Sequence, residues 1–361
     1  MNHFVKKVEP FFLSEDPFVQ RFAIELLEDT YLPGGETFLT GLKAVDRGPV
    51  ASYSSPILPN LLYMPMNEKG IVEVINRLNR LDDTETDLVY YTQLLLNADT
   101  DLLIQHSAEV ERFIGRNQLA EIITLPSMTA EALHMKLADI TFYLETGGYD
   151  QAHFDMGKRI IKELIRKEGV SGKELQLGIA EAVEQEEHFG FSMIFTVYAA
   201  GELGEETVAP VLAGLFKDED KSDLLFEETA NALVKIGTDL VVNEVEKIAL
   251  GWNTTFYSLD VLGRIKTKEA EKALLRLFDQ ADDLMAKTLI ADNLCRHLSA
   301  DAIPKVEGLI ETGYENELIC LEESLYVNCV MNGIQHPKLD EWRHFLELIE
   351  IEMNGGLPEG I

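Results

Sequence analysis

The sequence predicts an all-α chain, an α-α superhelix of stacked helix pairs, and three observations lead there. First, a phrase recurs through the C-terminal half: Ala199-Ala200-Gly201-Glu202-Leu203-Gly204, Ala232-Leu233-Val234-Lys235-Ile236-Gly237, Val261-Leu262-Gly263-Arg264-Ile265, and Leu294-Cys295-Arg296-His297-Leu298. Its closing apolar residues, Leu203, Ile236, Ile265 and Leu298, lie 33, 29 and 33 residues apart. A period of this size marks one supersecondary unit stacked on copies of itself. Second, a small residue stands seven positions before each closing residue (Thr196, Thr229, Ser258, Ala291), with mostly apolar residues four and three before. Offsets of three, four and seven define one face of a helix. Third, no alternating strand pattern of useful length occurs anywhere in the chain.

In chain order, Asp16-Pro17 reads as an N-cap followed by proline at the first helical position, opening a stripe through Phe18, Phe22, Leu26 and Leu27. Gly34-Gly35 marks a turn before a helix through Phe38, Leu39, Leu42 and Val45. Residues 48–70 break the pattern. Pro49, Pro56, Pro59 and Pro65 forbid a long helix, while Tyr53, Ile57, Leu58, Leu61, Tyr63 and Met64 keep the segment apolar. It either packs as a short-helix connection or lines a binding face, and Tyr63 is its candidate contact residue. Helices are expected near 70–80, 84–97 and 101–124, then from Ser127 to Gly147-Gly148, and through Phe154, Ile160, Ile161, Leu164 and Ile165. Ser171-Gly172-Lys173-Glu174 fits a capping box. The region 1–125 is thus an irregular helical segment, and 126–361 a repeat array clearest over 190–335.

Within the array each phrase ends one helix, and a second follows with its own stripe: Leu212 and Leu215, Val245 and Ile248, Leu274 and Leu277. Gly204 and Gly237 sit where a helix closes on a left-handed residue. Thr238, Thr267 and Ser299 are placed as N-caps of the following helices. A fifth, weaker copy ends near Met331, and Pro337 opens a last helix carrying Trp342, Phe345, Leu346 and Ile349. Paired helices of this length, with an Ala-rich second helix ending in Leu/Ile-Gly, resemble HEAT-like repeats of the phycobilisome-lyase type. That resemblance implies a right-handed, ARM-like solenoid, usually a protein-binding scaffold and in a minority of relatives an enzyme or chromophore lyase. It also implies that the second helix of each pair lines the concave side. Glu202, Lys235 and Arg264 would then be exposed there, and Glu205, Glu206, Asp218, Glu219 and Asp220 would lie between the helices.

The chain has 361 residues, 31 basic and 63 acidic, a net charge of −32. Such a surface repels phosphate backbones, so no nucleic-acid partner is expected. The excess is uneven: 3 basic against 14 acidic residues over 181–240, and 3 against 13 over 301–361. These segments suit a basic protein partner. The N-terminus lacks the apolar run and cleavage site of a signal peptide, no run is long enough to span a bilayer, and the three cysteines fall in apolar stripes. Reduced, buried thiols and a cytoplasmic location are expected, with no membrane partner.

Catalytic motifs are absent. There is no HExxH, Cys-x-x-Cys, P-loop, dinucleotide fingerprint or nucleophile elbow, and no cofactor is expected. Glu131-x-x-His134, Glu341-x-x-His344 and, more loosely, Asp150-x-x-His153 match the carboxylate–histidine spacing of di-iron bundles. Each reads more simply as a surface pair. No His-Glu dipeptide of the kind used by the HEAT-like enzyme deoxyhypusine hydroxylase occurs. Trp252 and Tyr257 either fill the groove between copies or stand out as interface anchors. The expected function is a non-enzymatic interaction scaffold. The alternative is a lyase-like or metal-dependent enzyme, or chaperone, using a pocket in the solenoid.

Overall fold

Helices start and stop largely where the capping residues place them. The Phe18 and Val19 amides donate to Asp16 at 3.1 and 3.3 Å. Ser171 caps its helix: the Glu174 amide donates to the serine hydroxyl at 3.3 Å, and that hydroxyl donates to Glu174 Oε2 at 2.8 Å, so the glutamate meets the serine side chain and not, as in a capping box, its backbone amide. Thr267 accepts from the Ala270 amide at 3.2 Å. Gly204, Gly237 and Gly333 close their helices with φ of 66°, 56° and 67°. In the fourth copy Leu298 itself takes this conformation, at φ 54°, which costs a residue with a Cβ more than it costs glycine. Two expected caps do not form. The Thr238 hydroxyl makes no cap bond, and the helix after Ser299 begins only at Ile303, on a proline-containing first turn.

The computed structural model describes residues 3–28, 30–47, 57–81, 87–184, 190–217, 222–317 and 319–353. Among these no strand occurs. The first helices are α1 (His3–Val8), α2 (Pro17–Glu28), α3 (Gly35–Arg47), α4 (Glu68–Leu78) and α5 (Asp87–Asn97). Then come α6 (Thr100–Gln105), α7 (Ser107–Val110), α8 (Arg116–Thr124), α9 (Ala130–Gly147), α10 (Gln151–Arg166), α11 (Gly172–Glu184) and α12 (Phe191–Leu203). Next are α13 (Ala209–Leu215), α14 (Asp223–Ile236), α15 (Asp239–Glu246) and α16 (Thr255–Arg264). The last are α17 (Lys268–Gln280), α18 (Leu284–Arg296), α19 (Ile303–Thr312), α20 (Leu321–Asn332) and α21 (Leu339–Met353). The single helix expected over 101–124 is three, because the chain turns at His106 and again before Gly115. No helix among the described residues is long and apolar enough to cross a membrane.

Cα proximity groups the chain into two units, one made of residues 1–98 and 266–361 and one of residues 99–265. The sequence-based division at 125 rests on repeat regularity, a different criterion. In the middle unit α12 packs against α14, α14 against α16, and α13 against α15, so equivalent helices of successive copies lie side by side. The closest approach is at Gly201. A Cβ there would lie 2.7 Å from the Ala232 Cα, so only glycine lets the two backbones meet. Gly157 makes the same kind of room for the Phe195 ring.

In the other unit α2 packs on α20, and charged groups buried in that contact answer one another. Arg21 bridges Glu323 at 2.7 Å and Glu350 at 2.5 Å. Asp292 accepts from Arg296 Nε at 2.7 Å and from the Ser324 hydroxyl at 2.5 Å. The Tyr326 hydroxyl donates to Asp16 at 2.5 Å. Asp292 raises the basicity of Arg296 despite its burial. Glu25 sits among these groups, and burial pushes its carboxyl up against the pull of Arg296 and Arg21. A carboxyl raised on folding contributes stability at low pH and loses it as pH rises through its folded value. Glu25→Gln is therefore expected to raise the melting temperature at pH 7.5, with the difference from wild type shrinking at pH 5 in thermal scans by circular dichroism. A variant less stable than wild type at pH 7.5 would show that the charged form is the favoured one.

Residues 48–56 of the proline-rich segment lie outside the described residues. From 57 on it packs as a short-helix connection: Ile57, Leu58, Leu61 and Met64 are buried, and Leu61 fills the space beside Gly41. All three cysteines are free thiols, with Cys295 and Cys329 buried. Burial pushes the Cys320 thiol up to about 12 and Cys329 to about 11, so neither is a ready nucleophile.

Candidate binding faces of the middle unit

One face of α10, α12, α14 and α16 carries a ladder of rings and charges. The Lys158 ammonium lies 4.5 Å from the Phe154 ring centre and 5.0 Å from that of Tyr198, and the Lys235 ammonium lies 4.9 Å from the Tyr198 ring centre. Each cation also has a carboxylate: Lys158 meets buried Glu228 at 2.5 Å, and Lys235 pairs with Glu202. Arg264 continues the row, bonded to Asp260 at 2.9 Å and to Asn231 at 2.8 Å. Burial alone would raise the Glu202 carboxyl, but Lys235, Lys162 and the Tyr198 hydroxyl together outweigh it and hold Glu202 below its usual range. Burial draws the Lys235 ammonium down further than Glu202 restores it.

This corrects the expectation that Glu202, Lys235 and Arg264 stand exposed. Their side chains keep 19%, 20% and 16% of their accessible surface and are tied to one another's copies. All three sit one residue before the closing apolar residue of their copy. With Gly201 bringing α12 and α14 together, same-register side chains one copy apart come within bonding distance. The ladder also contains residues that the repeat phrase did not single out: Lys158, Arg159 and Asp155 on α10, and Glu228 on α14. A signal for them was present, since residues 151–167 hold five basic and two acidic residues in an acidic chain.

A second face lies where the chain enters α16. Trp252 is 94% exposed in the turn that opens the helix, and Phe256 is 65% exposed in its first turn. Trp252 therefore does not fill a groove. Tyr257 does: its ring stacks on Phe216 with centres 5.6 Å apart and packs on Phe226 at 5.1 Å. Phe256 stands edge-on to Tyr257 at 5.5 Å. The phenol of Tyr257 is pushed up by burial and by the carboxylates of Asp223, Glu227 and Asp260, the first of which bonds to it. Asp223 and Glu227 are exposed, so the Tyr257 ring borders an acidic rim.

The remaining sequence candidates scatter. Glu205 turns onto its own chain, accepting from the Thr207 amide and hydroxyl at 3.3 and 2.5 Å. Glu206 is exposed. Asp218, Glu219 and Asp220 lie outside the described residues. Tyr63 is 67% exposed and belongs to the other unit. Of the carboxylate–histidine pairs, His153 Nδ1 bonds to Asp150 at 2.6 Å and the ring stacks on Tyr143, whereas His134 turns to the Gly169 carbonyl at 2.9 Å. Among the described residues no three His, Cys, Asp or Glu side chains gather as metal donors.

No protein-family profile and no curated protein matches the chain. Among solved structures it is similar to a crystal structure described as an engineered protein, at 15% identity over 93% of this chain and 100% of that one. The TM-score of 0.28 is too low for that likeness to bear on fold or function.

Proposed function

We propose that this chain is a HEAT-like, non-enzymatic interaction scaffold whose acidic middle unit takes a basic protein partner. The observation that carries this reading is in α14 and α16, where the exposed carboxylates of Asp223 and Glu227 gather around the Tyr257 phenol, and Trp252 and Phe256, nearby in the chain, stand in solvent. Exposed aromatic side chains are common anchors of interfaces, and rim charges of one sign select a partner of the other. The ladder on α10–α16 serves a different end in this reading. Its charges are consumed internally, so it holds neighbouring copies in register while the acids outside it remain for the partner. Free thiols, two of them buried, support a reducing compartment such as the cytoplasm.

The test is affinity capture from the native extract, followed by kinetics on the captured partner. Asp223→Asn combined with Glu227→Gln is expected to slow association and flatten its dependence on salt, because rim charges act mainly on the rate of encounter. A partner whose association rate is the same at 50 mM and 500 mM salt would remove the electrostatic part of the proposal.

A further inference from the structure

Helix α2 and the helices it meets enclose more carboxylates than cations. Arg21 is held by Glu323 of α20 and Glu350 of α21, and Arg296 of α18 by Asp292. Glu25 makes a fourth carboxylate against these two guanidiniums. It stands one turn beyond Arg21 on α2, and three residues beyond Phe22, whose ring lies under Arg296. Both guanidiniums act on Glu25, yet among the described residues neither bonds to it, and the charges of Glu323 and Asp292 act against its own. The other neighbours of α2 supply no further cation to it. Lys7 of α1 bonds to Asn332, and His3 and Lys6 are exposed. Glu9, in the turn Glu9–Leu13, accepts from Thr37 and Thr40, and the turn Leu58–Leu61 carries no charge. On α21, Arg343 pairs with Glu347 and Asp16, and Asp16 also accepts from Tyr326 of α20. Glu28, near the end of α2, is one more carboxylate.

A charged Glu25 is thus an unmatched negative charge in a half-buried contact, and protonation removes the mismatch. We propose that the seat of α2 on α18, α20 and α21 is a pH-sensitive latch, firm when Glu25 is protonated and loosened when it is charged. Burial holds the Glu25 carboxyl above its usual range, so seating the helix takes up a proton. The stabilisation is fully present below the carboxyl's unfolded value and is lost as pH rises through its folded value. Release would uncover Phe18, Phe22 and Leu27 of α2, which are buried when the helix is seated. The latch does not depend on which partner the chain binds.

Amide hydrogen exchange of the full chain, read by mass spectrometry at pH 5 and pH 7.5 and corrected for the intrinsic exchange rate, tests this. Local opening of one helix shows as exchange faster than that of the rest of the protein. Protection of α2 is expected to fall roughly three- to tenfold between the two pH values, the range that one carboxyl raised by about a unit on seating can supply. Protection of α14, which belongs to the other unit, is expected to fall less. Glu25→Gln keeps the shape of the side chain but cannot ionise, so α2 in this variant is expected to be equally protected at both pH values. An equal fall in α2 and α14 of the wild type would show that no separate latch exists and would overturn the proposal. The same fall in α2 of Glu25→Gln as in the wild type would show that another group sets the pH dependence, and would overturn it too.

Discussion

Replacing Gly201 with valine is expected to destabilise the protein by about 3 kcal/mol, and with alanine by about 1–2 kcal/mol, the overpacking cost being partly offset by alanine's better helix propensity. The reason is geometric. A Cβ at this position would lie 2.7 Å from the Ala232 Cα and 2.9 Å from its Cβ. The nearest obstacle is backbone, which cannot rotate away, so α12 and α14 must separate. Separation would also lengthen the contact between Glu202, the next residue, and Lys235, about one turn beyond Ala232, and leave two half-buried charges poorly matched. Chemical denaturation followed by far-UV circular dichroism measures the loss. Gly178→Ala is the control, since a Cβ on that glycine of α11 meets nothing within 4 Å. It should gain roughly 0.5–1 kcal/mol from the helix propensity of alanine. Equal behaviour of the two alanine variants would show that the helices can slide past the added methyl.

Arg296→Ala is expected to cost about 2–3 kcal/mol, less than removal of one partner from a fully buried ion pair, because a third of the arginine side chain reaches solvent while Asp292 is buried. Arg296 bonds to Asp292 and lies 5.1 Å from the Phe22 ring centre, so the change removes packing as well as charge. It would take from Asp292 the guanidinium it bonds, and from Glu25 the larger of the two positive charges that act on it. The loss should shrink on acidification, as Glu25, whose carboxyl burial already holds above its usual range, takes up a proton. Urea unfolding at pH 7.5 and pH 5 tests both halves of the expectation. A loss independent of pH would mean that the packing on Phe22, not the charge, is what the arginine contributes.

Much of the fold was legible because it is written in short-range patterns. The caps at Asp16, Ser171 and Thr267, the left-handed glycines 204 and 237, and the helical stripes of the repeat each involve residues within one or two turns of one another. Part of the candidate site was legible too, but its meaning was not. Glu202 and Lys235 were visible as exposed-looking positions, and their 33-residue separation equals the spacing of their copies. Stacked copies bring such positions side by side, so the pair was implicit in the period. Trp252 and Tyr257 lie five residues apart and looked alike in sequence. Whether a ring meets Phe216 and Phe226 or meets water depends on neighbours from another helix, and no local pattern records that.

The sequence by itself therefore determined the all-helical class, the approximate position of most helices, the repeat and the distribution of acid. Only the tertiary structure decided which charges remain for a partner and which are spent inside the protein. It also decided that α2 answers α20 and α21, through contacts such as Arg21 with Glu323, separated by 302 residues, and with Glu350, separated by 329. The physical reason is one of range. Helix caps and stripes are satisfied within a few residues, so their requirements appear as local spacing. A buried charge can be satisfied by any opposite charge that folding brings near, so its partner leaves no mark on the sequence around it.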